Sequence, residues 1–514
     1  MWATKLSVFR FGLFSRICLA VFAGFISSLA FPRENLSPLI FVSTVLLLLS
    51  LYNQGILASG LIGFTGGLAF YLSQVEWLSL YLGPIPWLAL GTLEALIFMI
   101  GSIAITQVWN WLSAFIKPSN RYRLVLISLA IASIWNLREW VSITLPYGGF
   151  PWSRLAQTQS DTYLSKWVYI GGISFLTWLI ALVAALVAVW LVDLRFTRRQ
   201  FDAPAFIAAA LVFAIPLLMF IPVNNEAGEI KLAAVQGNAN AGLFANPKRG
   251  SILNNHLKAS KELIGKELDV VIWPENASDL SPFSDPLANA RITTFVNDEL
   301  KTPLIFGTIT TRGNEMFNSS ILWKPGVGPT DFYDKKRPVP FAEYVPDRDF
   351  WYSLAPDLVG LVYRGYAFGT RDGIFEIGNH KLGTLICFEI AIDDIGRDLV
   401  NEGAQVIISQ TNNADFGHSD ETYQQAAFAR LRAIETGRVV VNDSTVGLSA
   451  IFMPDGTVLE QLPTFEAGSM IATLPMTNSR TPAMLIGRYF DLVINSAALL
   501  IIAICFVLRR RSNI

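Results

Sequence analysis

Three side chains of complementary chemistry stand at the edges of predicted elements. Glu275 follows Val270-Val271-Ile272-Trp273-Pro274. A carboxylate held at the end of a buried strand sits in partly apolar surroundings, and desolvation of that kind suits a general base. Lys335 lies between Tyr333 and a stretch carrying Pro338, Pro340 and Pro346, stiff enough to aim a cation. Cys387 ends the run Leu382–Ile386 and precedes Phe388-Glu389. At a strand-to-helix turn, the helix N-terminus and a neighbouring lysine are expected to give such a sulfur thiolate character. Each residue alone has a plainer reading, as a loop carboxylate, a surface lysine or an inert thiol. Together they make a base, a cation and a nucleophile.

Such groups need elements to hold them. Residues 230–238, 269–273, 303–310, 316–323, 383–387 and 404–410 are short runs rich in Val, Ile and Leu and predict strands. Helical patterns fill 250–267, 286–300, 391–402 and 420–436. Asp455-Gly456, between 447–453 and 457–462, is a hairpin signal. Strands alternating with helices predict a layered α/β domain.

That domain is only part of the chain. Of 514 residues, 52% are apolar and 15% charged, with mean hydropathy +0.44; soluble proteins are about one quarter charged. The deficit is concentrated in 1–222 and 488–508, whereas 226–487 has an ordinary globular composition. Eight apolar segments approach the length of about 20 residues that crosses a bilayer: 11–31, 37–53, 56–78, 86–114, 123–143, 166–192, 204–222 and 489–508. The fifth is the weakest, because Arg138 and Glu139 lie near its end. Basic residues cluster at Lys5, Arg10 and Arg16, at Lys117, Arg121 and Arg123, at Arg195, Arg198 and Arg199, and at Arg509–Arg511. With eight spans all four clusters fall on one side, predicted to be cytoplasmic. The expected organisation is a seven-span domain (1–225), an extracytoplasmic catalytic domain (226–487), and a final span with a basic tail (488–514). Few charges are expected inside the bundle, which favours a scaffold over a channel. A net charge of -1 without a basic patch sets nucleic acid aside. Cys18 and Cys505 lie in apolar stretches, so Cys387 has no partner for a disulfide within 226–487.

The three residues and their neighbours resemble the nitrilase superfamily, whose members use a Glu-Lys-Cys triad, and more closely the apolipoprotein N-acyltransferase family. The segments that carry the resemblance are WPEN (273–276), YDKKRPVPFAEYVP (333–346), ICFEI (386–390) and ARLRAIETGR (429–438), with QGN (236–238), STVGLSA (444–450) and GGFPW (148–152). The resemblance implies an αββα nitrilase-like sandwich inserted between the transmembrane helices of an eight-helix bundle. It implies Glu275 as general base, Lys335 as oxyanion stabiliser, Cys387 as nucleophile, Glu343 as a carboxylate supporting the lysine, and Glu389 as an important acid beside the nucleophile. Phe388 stands where the family has Tyr, and Asn412-Asn413-Ala414-Asp415-Phe416-Gly417 where it has Asn-Asp-Ala-Trp-Phe-Gly. Pro338 and Ala342 likewise depart from the family's Leu-Val-Pro-Phe-Gly-Glu.

The implied reaction is ping-pong. A membrane phospholipid gives its acyl chain to Cys387 as a thioester, and the N-terminal α-amine of a diacylglyceryl-modified apolipoprotein then takes it. No metal or other cofactor is expected, and the protein is expected to be a monomer in the bacterial cell membrane. A membrane-tethered carbon–nitrogen hydrolase using the same triad is the alternative; a non-catalytic assembly factor is disfavoured by the complete triad. Residues 350–368 are unusually apolar for a loop. They read equally as packing or as a lipid-facing lid through Trp351, Leu358 and Leu361. Arg432–Glu435 and Glu435–Arg438 pairs predict a structural salt network near Arg430. Of His256, His380 and His418, only His418 lies near a motif, and a polar loop role is favoured for it.

Overall fold

A computed structural model describes residues 12–194, 202–242 and 245–512. Two compact units result, one from the described residues up to 167, 173–219 and 486 onward, the other from 168–172 and 220–485.

In the first unit the apolar runs are helices, the form that satisfies every backbone polar group within one segment. Helices Ile56–Gln74, Pro84–Phe115, Arg123–Ser142, Ile173–Asp193 and Pro482–Leu508 are long and apolar enough to cross a membrane. Leu13–Ser28, Leu39–Leu51 and Ala203–Leu218 are shorter, at 16, 13 and 16 residues. The length criterion is therefore met by five helices among the described residues, not eight. Apolar letters continue past the helices into turns, as at Arg33 and Asn35 with positive φ, and beyond Pro216 near the end of 203–218.

The expectation of few charges in the bundle is also corrected. Glu94, Arg138, Glu139 and Arg154 are all buried. Arg154 Nε donates to Glu139 Oε1 at 3.1 Å and its Nη2 to Ser174 Oγ at 2.8 Å. Thr177 Oγ1 donates to the same Glu139 oxygen at 2.9 Å. Arg138 donates to the Tyr71 hydroxyl at 2.9 Å and lies over the rings of Phe98 and Trp135. Pairing is what makes such burial tolerable. Arg16 donates to the carbonyls of Leu49, Ser50 and Tyr52, and Arg123 to that of Ser113 at 2.8 Å and to Asp193. Both serve helix C-terminal carbonyls, where a cation is favoured. Lys5, Arg10, Arg195, Arg198 and Arg199 lie outside the described residues, as do the side chains of Arg509–Arg511.

The second unit stacks two six-stranded sheets. The first uses β1 (Glu229–Gln236), β2 (Val270–Ile272), β3 (Leu304–Arg312), β4 (Glu315–Lys324), β5 (Gly328–Asp334) and β12 (Gly468–Pro475), ordered β12-β1-β2-β3-β4-β5. The second uses β6 (Ile374–Ile377), β7 (His380–Ile386), β8 (Val406–Thr411), β9 (Val440–Ser444), β10 (Ala450–Phe452) and β11 (Val458–Gln461), ordered β11-β10-β9-β8-β7-β6. β1-β2-β3 and β7-β8-β9 are parallel, and such interior strands read as continuous apolar runs because both faces are covered. Asp455-Gly456 turns between the antiparallel strands β10 and β11, as the sequence predicts.

Ile230, Leu232, Val270, Ile272, Ile305, Leu382, Ile386, Ile408 and Val441 form the core between the sheets. Val271, Trp273, Leu253, Ile292, Phe295 and Phe306 pack the outer face of the first sheet against helices Ser251–Ala259 and Pro286–Thr294. Helices Asp393–Asn401 and Glu421–Thr436 pack against β7 and β9 of the second. The layers are αββα. Since β3-β4-β5 is an antiparallel meander, β5 runs in the direction of β2 and β3, so the residues after β2 and β5 emerge at the same edge of the sheet.

Candidate active site

The base-bearing loop begins with Trp273, fully buried, whose indole N–H donates to Ser260 Oγ at 2.8 Å and whose carbonyl accepts from Gln410 Nε2 at 2.6 Å. The chain then crosses directly over Gly307 of β3. A Cβ there would lie 2.6 Å from the Glu275 Cα and 2.6 Å from the Asn276 nitrogen, so only glycine admits the crossing. Lys335 follows β5; its N–H donates to the Asn318 carbonyl at 2.9 Å and its carbonyl accepts from Gly369 N–H at 2.9 Å. Cys387 joins β7 to the short 3-10 helix Cys387–Ala391 with φ of 55°, a left-handed conformation costly for a residue with a Cβ.

These strand ends converge. Lys335 Nζ lies 2.8 Å from Glu343 Oε2 and 3.7 Å from Glu275 Oε1, and the lysine is 1% exposed. Asn318 Nδ2 donates to both carboxylates, at 2.7 Å to Glu275 Oε1 and 2.9 Å to Glu343 Oε1. Glu343 also accepts Val339 N–H at 2.7 Å. The Glu275 carboxyl lies close enough to the Cys387 thiol for its charge to push the thiol's pKa up, and the sulfur accepts from Gln425 Nε2 at 3.4 Å. Four expected site residues, Glu275, Lys335, Cys387 and Glu343, thus form one cluster.

Glu389 does different work. It is fully buried and accepts the Tyr333 hydroxyl at 3.0 and 2.9 Å, Arg337 N–H at 3.1 Å and Ile386 N–H at 2.8 Å. It therefore ties the lysine-bearing loop to the end of the cysteine-bearing strand. Phe388 is buried.

The electrostatics correct one expectation. Burial and then the Glu275 charge push the Cys387 thiol well above its usual range, and the Lys335 ammonium does not offset them. A five-residue 3-10 turn is too short to supply a helix dipole of the expected kind. The sulfur rests as a thiol. Burial also raises Glu275, with Glu343 adding to it and Lys335 opposing, which strengthens it as a base. For Lys335, burial opposes the charge, but Glu343, Glu275 and Cys387 outweigh it and its pKa is raised. The arrangement is a cation, a strengthened carboxylate base and a protonated sulfur. Such a set can couple proton removal to attack on a carbonyl and hold the resulting oxyanion.

Residues 23–186 match the family model for the apolipoprotein N-acyltransferase N-terminal domain, and residues 231–481 match that for carbon-nitrogen hydrolase. An apolipoprotein N-acyltransferase of Mycolicibacterium smegmatis is 30% identical over 491 residues, covering 88% of this chain and 79% of the relative. The chain belongs to the apolipoprotein N-acyltransferase family. A second relative so named, from Vibrio parahaemolyticus, is 28% identical over 493 residues, covering 91% and 93%. Among solved structures an amidase from Nesterenkonia sp. aligns with TM-score 0.39 and 16% identity, over 54% of this chain and 98% of that one. As a member of the N-acyltransferase family the chain is an enzyme, and its two-sheet domain has the nitrilase-like carbon–nitrogen hydrolase fold.

Within this N-acyltransferase, residues 348–361 form two short helices, Arg348–Leu354 and Pro356–Leu361. Arg348 joins them by donating to the Val362 carbonyl at 2.7 Å and that of Val359 at 3.2 Å. Trp351 packs edge-on against Phe341 and Phe350, Leu358 is half-buried, and Leu361 is exposed with Phe350, Tyr352, Leu354 and Tyr363. Some of its rings pack within the domain and others face outward. Its far end is fastened to the site, because Tyr366 N–H donates to the Glu343 carbonyl at 2.8 Å.

The arginine cluster is structural. Arg432 is buried, paired with Glu435 and with Asp393 at 3.0 Å. Arg438 turns instead to the carbonyls of Ala404 and Ser479, at 2.7 and 2.6 Å, and Arg397 meets Glu435 at 3.4 Å. His256 is buried against Trp273 and pushed down to about 4 by burial. His380 opens β7, about 20 Å of strand away from Cys387. His418 packs against Phe465, the two rings tilted by 39°.

Asn318, Tyr366, Glu421 and Gln425 escaped the sequence reading. Asn318 lies mid-strand with no local mark. Glu421 and Gln425 had a usable signal, two polar residues four apart on a helix whose other residues are almost all buried.

Proposed function

We propose that this protein transfers an acyl chain from a membrane phospholipid to the N-terminal α-amine of diacylglyceryl-modified apolipoproteins, through a thioester on Cys387. What supports the reading is the meeting of the buried Glu275 and Lys335 with the half-buried Cys387, from three separate strand ends, in one polar cluster. Family membership and apolar helices long enough to cross a bilayer agree with a lipid donor.

Glu275 takes the S–H proton while the sulfur bonds to the ester carbonyl carbon. The carbonyl oxygen becomes an oxyanion held by Lys335 Nζ and the backbone N–H of Phe388, a type of contact worth about 3–4 kcal/mol per donor. Collapse breaks the ester C–O bond, and Glu275 returns its proton to the departing lysophospholipid. The acceptor amine then attacks the thioester, Glu275 takes a proton from it, the C–S bond breaks, and the sulfur is reprotonated. Glu343 holds Lys335 in place, Glu389 fixes the loops that carry the lysine and the cysteine, and Phe388 presents its N–H. Water must stay out, because hydrolysis would release the acyl group. Trp351, Leu358 and Leu361 act as a lid toward lipid.

The reading further takes 1–225 as a seven-span domain, 226–487 as the extracytoplasmic catalytic domain, and 488–514 as the last span with a cytoplasmic basic tail, in a monomer of the bacterial cell membrane. The test is acyl-enzyme trapping in native membranes, followed by the mass of a lipoprotein N-terminus. A hydroxylamine-labile fatty acyl group on the wild type, lost in C387S, is expected, with an added amide-linked chain on the acceptor. Release of free fatty acid or amide hydrolysis without acyl transfer would replace this reading with a hydrolase.

A further inference from the structure

Beside the triad lies a chain of hydrogen bonds that the reaction above does not use. It begins at Gly447, whose N–H donates to Ser444 Oγ at 2.8 Å. A backbone N–H can only donate, and Ser444 Oγ in turn donates to Asn413 Oδ1 at 2.5 Å. Leu448 N–H acts likewise on Thr422 Oγ1 at 2.7 Å, and Thr411 Oγ1 donates to the same Asn413 oxygen at 3.1 Å. With its oxygen taken by hydroxyls, Asn413 must present its amide hydrogens to the other side. They go to Glu421 Oε2 at 2.6 Å and Gln425 Oε1 at 2.7 Å. Gln425, its oxygen now an acceptor, has only its NH2 to offer, and that NH2 points at Cys387 Sγ at 3.4 Å.

Four hydrogen bonds thus lead from Gly447 to the sulfur. Side-chain amides can be turned either way round; in this structure the Ser444 and Thr411 hydroxyls donate to the Asn413 oxygen, and the Asn413 and Gln425 amides point their N–H groups toward Gln425 and Cys387 in turn. The start of the relay has no room for variation: a Cβ at Gly447 would stand 2.2 Å from Asn413 Oδ1 and 2.3 Å from Thr422 Oγ1. Asn413, Glu421, Gln425 and Ser444 are all buried, which makes misdirected polar groups costly.

We propose that Gln425 is a further catalytic residue, donating an N–H to the Cys387 sulfur and stabilising the thiolate that develops as Glu275 withdraws the proton, with Gly447, Ser444 and Asn413 as positioning residues that fix its direction. The proposal rests on Cys387 being the nucleophile. The S–H proton goes to Glu275 as the sulfur–carbon bond forms, and Gln425 keeps both its hydrogens throughout. Its N–H offsets part of the field at the sulfur, which faces the carboxyl groups of Glu275, Glu421 and Glu343 and the Lys335 ammonium.

The test is the pH dependence of Cys387 alkylation by iodoacetamide in the full-length protein in detergent, read by mass of the Cys387 peptide. Hydrogen bonds to a charged group are worth about 1.5–3 kcal/mol. Q425M, which fills the space without a donor, is therefore expected to raise the alkylation midpoint by about 1–2 pH units, leave the high-pH plateau unchanged, and slow thioester formation about 10- to 100-fold. A merely structural role would lower the plateau and leave the midpoint in place. S444A, distant from the sulfur, is expected to raise the midpoint by a smaller amount, and it decides the matter should Q425M not fold. An unmoved midpoint in the folded variant overturns the role of Gln425. Absence of a thioester in the wild type would instead overturn the Cys387 reading.

Discussion

Glu421 offers a test of how strongly this interior opposes charge. Its carboxyl is buried and is pushed up to about 8 by that burial, with the Glu275 charge adding to it and the Asn413 amide opposing. In the unfolded chain it titrates near its ordinary value of 4.5. The folded state therefore binds this proton more tightly, and its contribution to stability, complete below about pH 4.5, is lost as pH rises to about 8. The slope is about 1.4 kcal/mol per pH unit, so between about pH 5.5 and 7.5 the wild type loses about 3 kcal/mol through this group. E421Q keeps an acceptor for Asn413 and has no proton to lose. Relative to wild type it is expected to gain stability across that interval and to hold a constant advantage above about pH 8. At about 2–4 °C per kcal/mol, the difference in melting temperature between the two should widen by roughly 6–12 °C. Thermal unfolding of both proteins in the same detergent, at matched buffers and scan rates, measures it. A difference independent of pH over this interval would refute the reasoning, because it would mean that the carboxyl titrates alike in the folded and unfolded chains.

N318L removes the N–H that Glu275 and Glu343 share; the rate of thioester formation is expected to fall about 10- to 100-fold with little change in KM, and an unaltered rate would count against the bridge. G307A places a Cβ 2.6–2.7 Å from the backbone of Pro274, Glu275 and Asn276; it should displace the base and cost about 100-fold or more in first-turnover rate, while retention of the full rate would show that the crossing is not tight. Polar replacement of the exposed Leu361, as L361S, is expected to impair transfer from phospholipid vesicles but spare a short soluble acyl donor, and the same applies to Trp351 and Leu358. Equal loss with both donors rejects the lid.

Glu275 and Cys387 were legible because each follows an apolar run, and a residue that follows a buried strand emerges where strands of a parallel sheet open; Lys335 showed itself only through the prolines that follow it. β2 and β7 announced themselves through Val270–Ile272 and Leu382–Ile386, whose uninterrupted apolar character reflects two covered faces. β5 was missed, since Gly-Pro-Thr-Asp-Phe-Tyr-Asp carries turn and charged residues suited to the edge of a sheet. Helix lengths in the first unit were overread for a related reason. Hydropathy measures what a segment can bury, whereas the helix ends where a turn or a proline takes the backbone elsewhere.

Composition and pattern alone determined that apolar helices flank a layered α/β domain, and that a carboxylate and a thiol follow two of its apolar strands with a lysine in a proline-rich stretch between them. They could do so because periodicity and hydropathy are local properties carried by neighbouring residues. The tertiary structure decided that burial and the Glu275 charge push the thiol's pKa up, that Asn318 serves two carboxylates, that Glu389 braces loops instead of facing the reaction, and that Gln425 reaches the sulfur. Desolvation and hydrogen-bond direction depend on what surrounds a group in space, and here the surroundings come from residues such as Asn413, Ser444 and Gly447, which the chain brings to Cys387 only by folding.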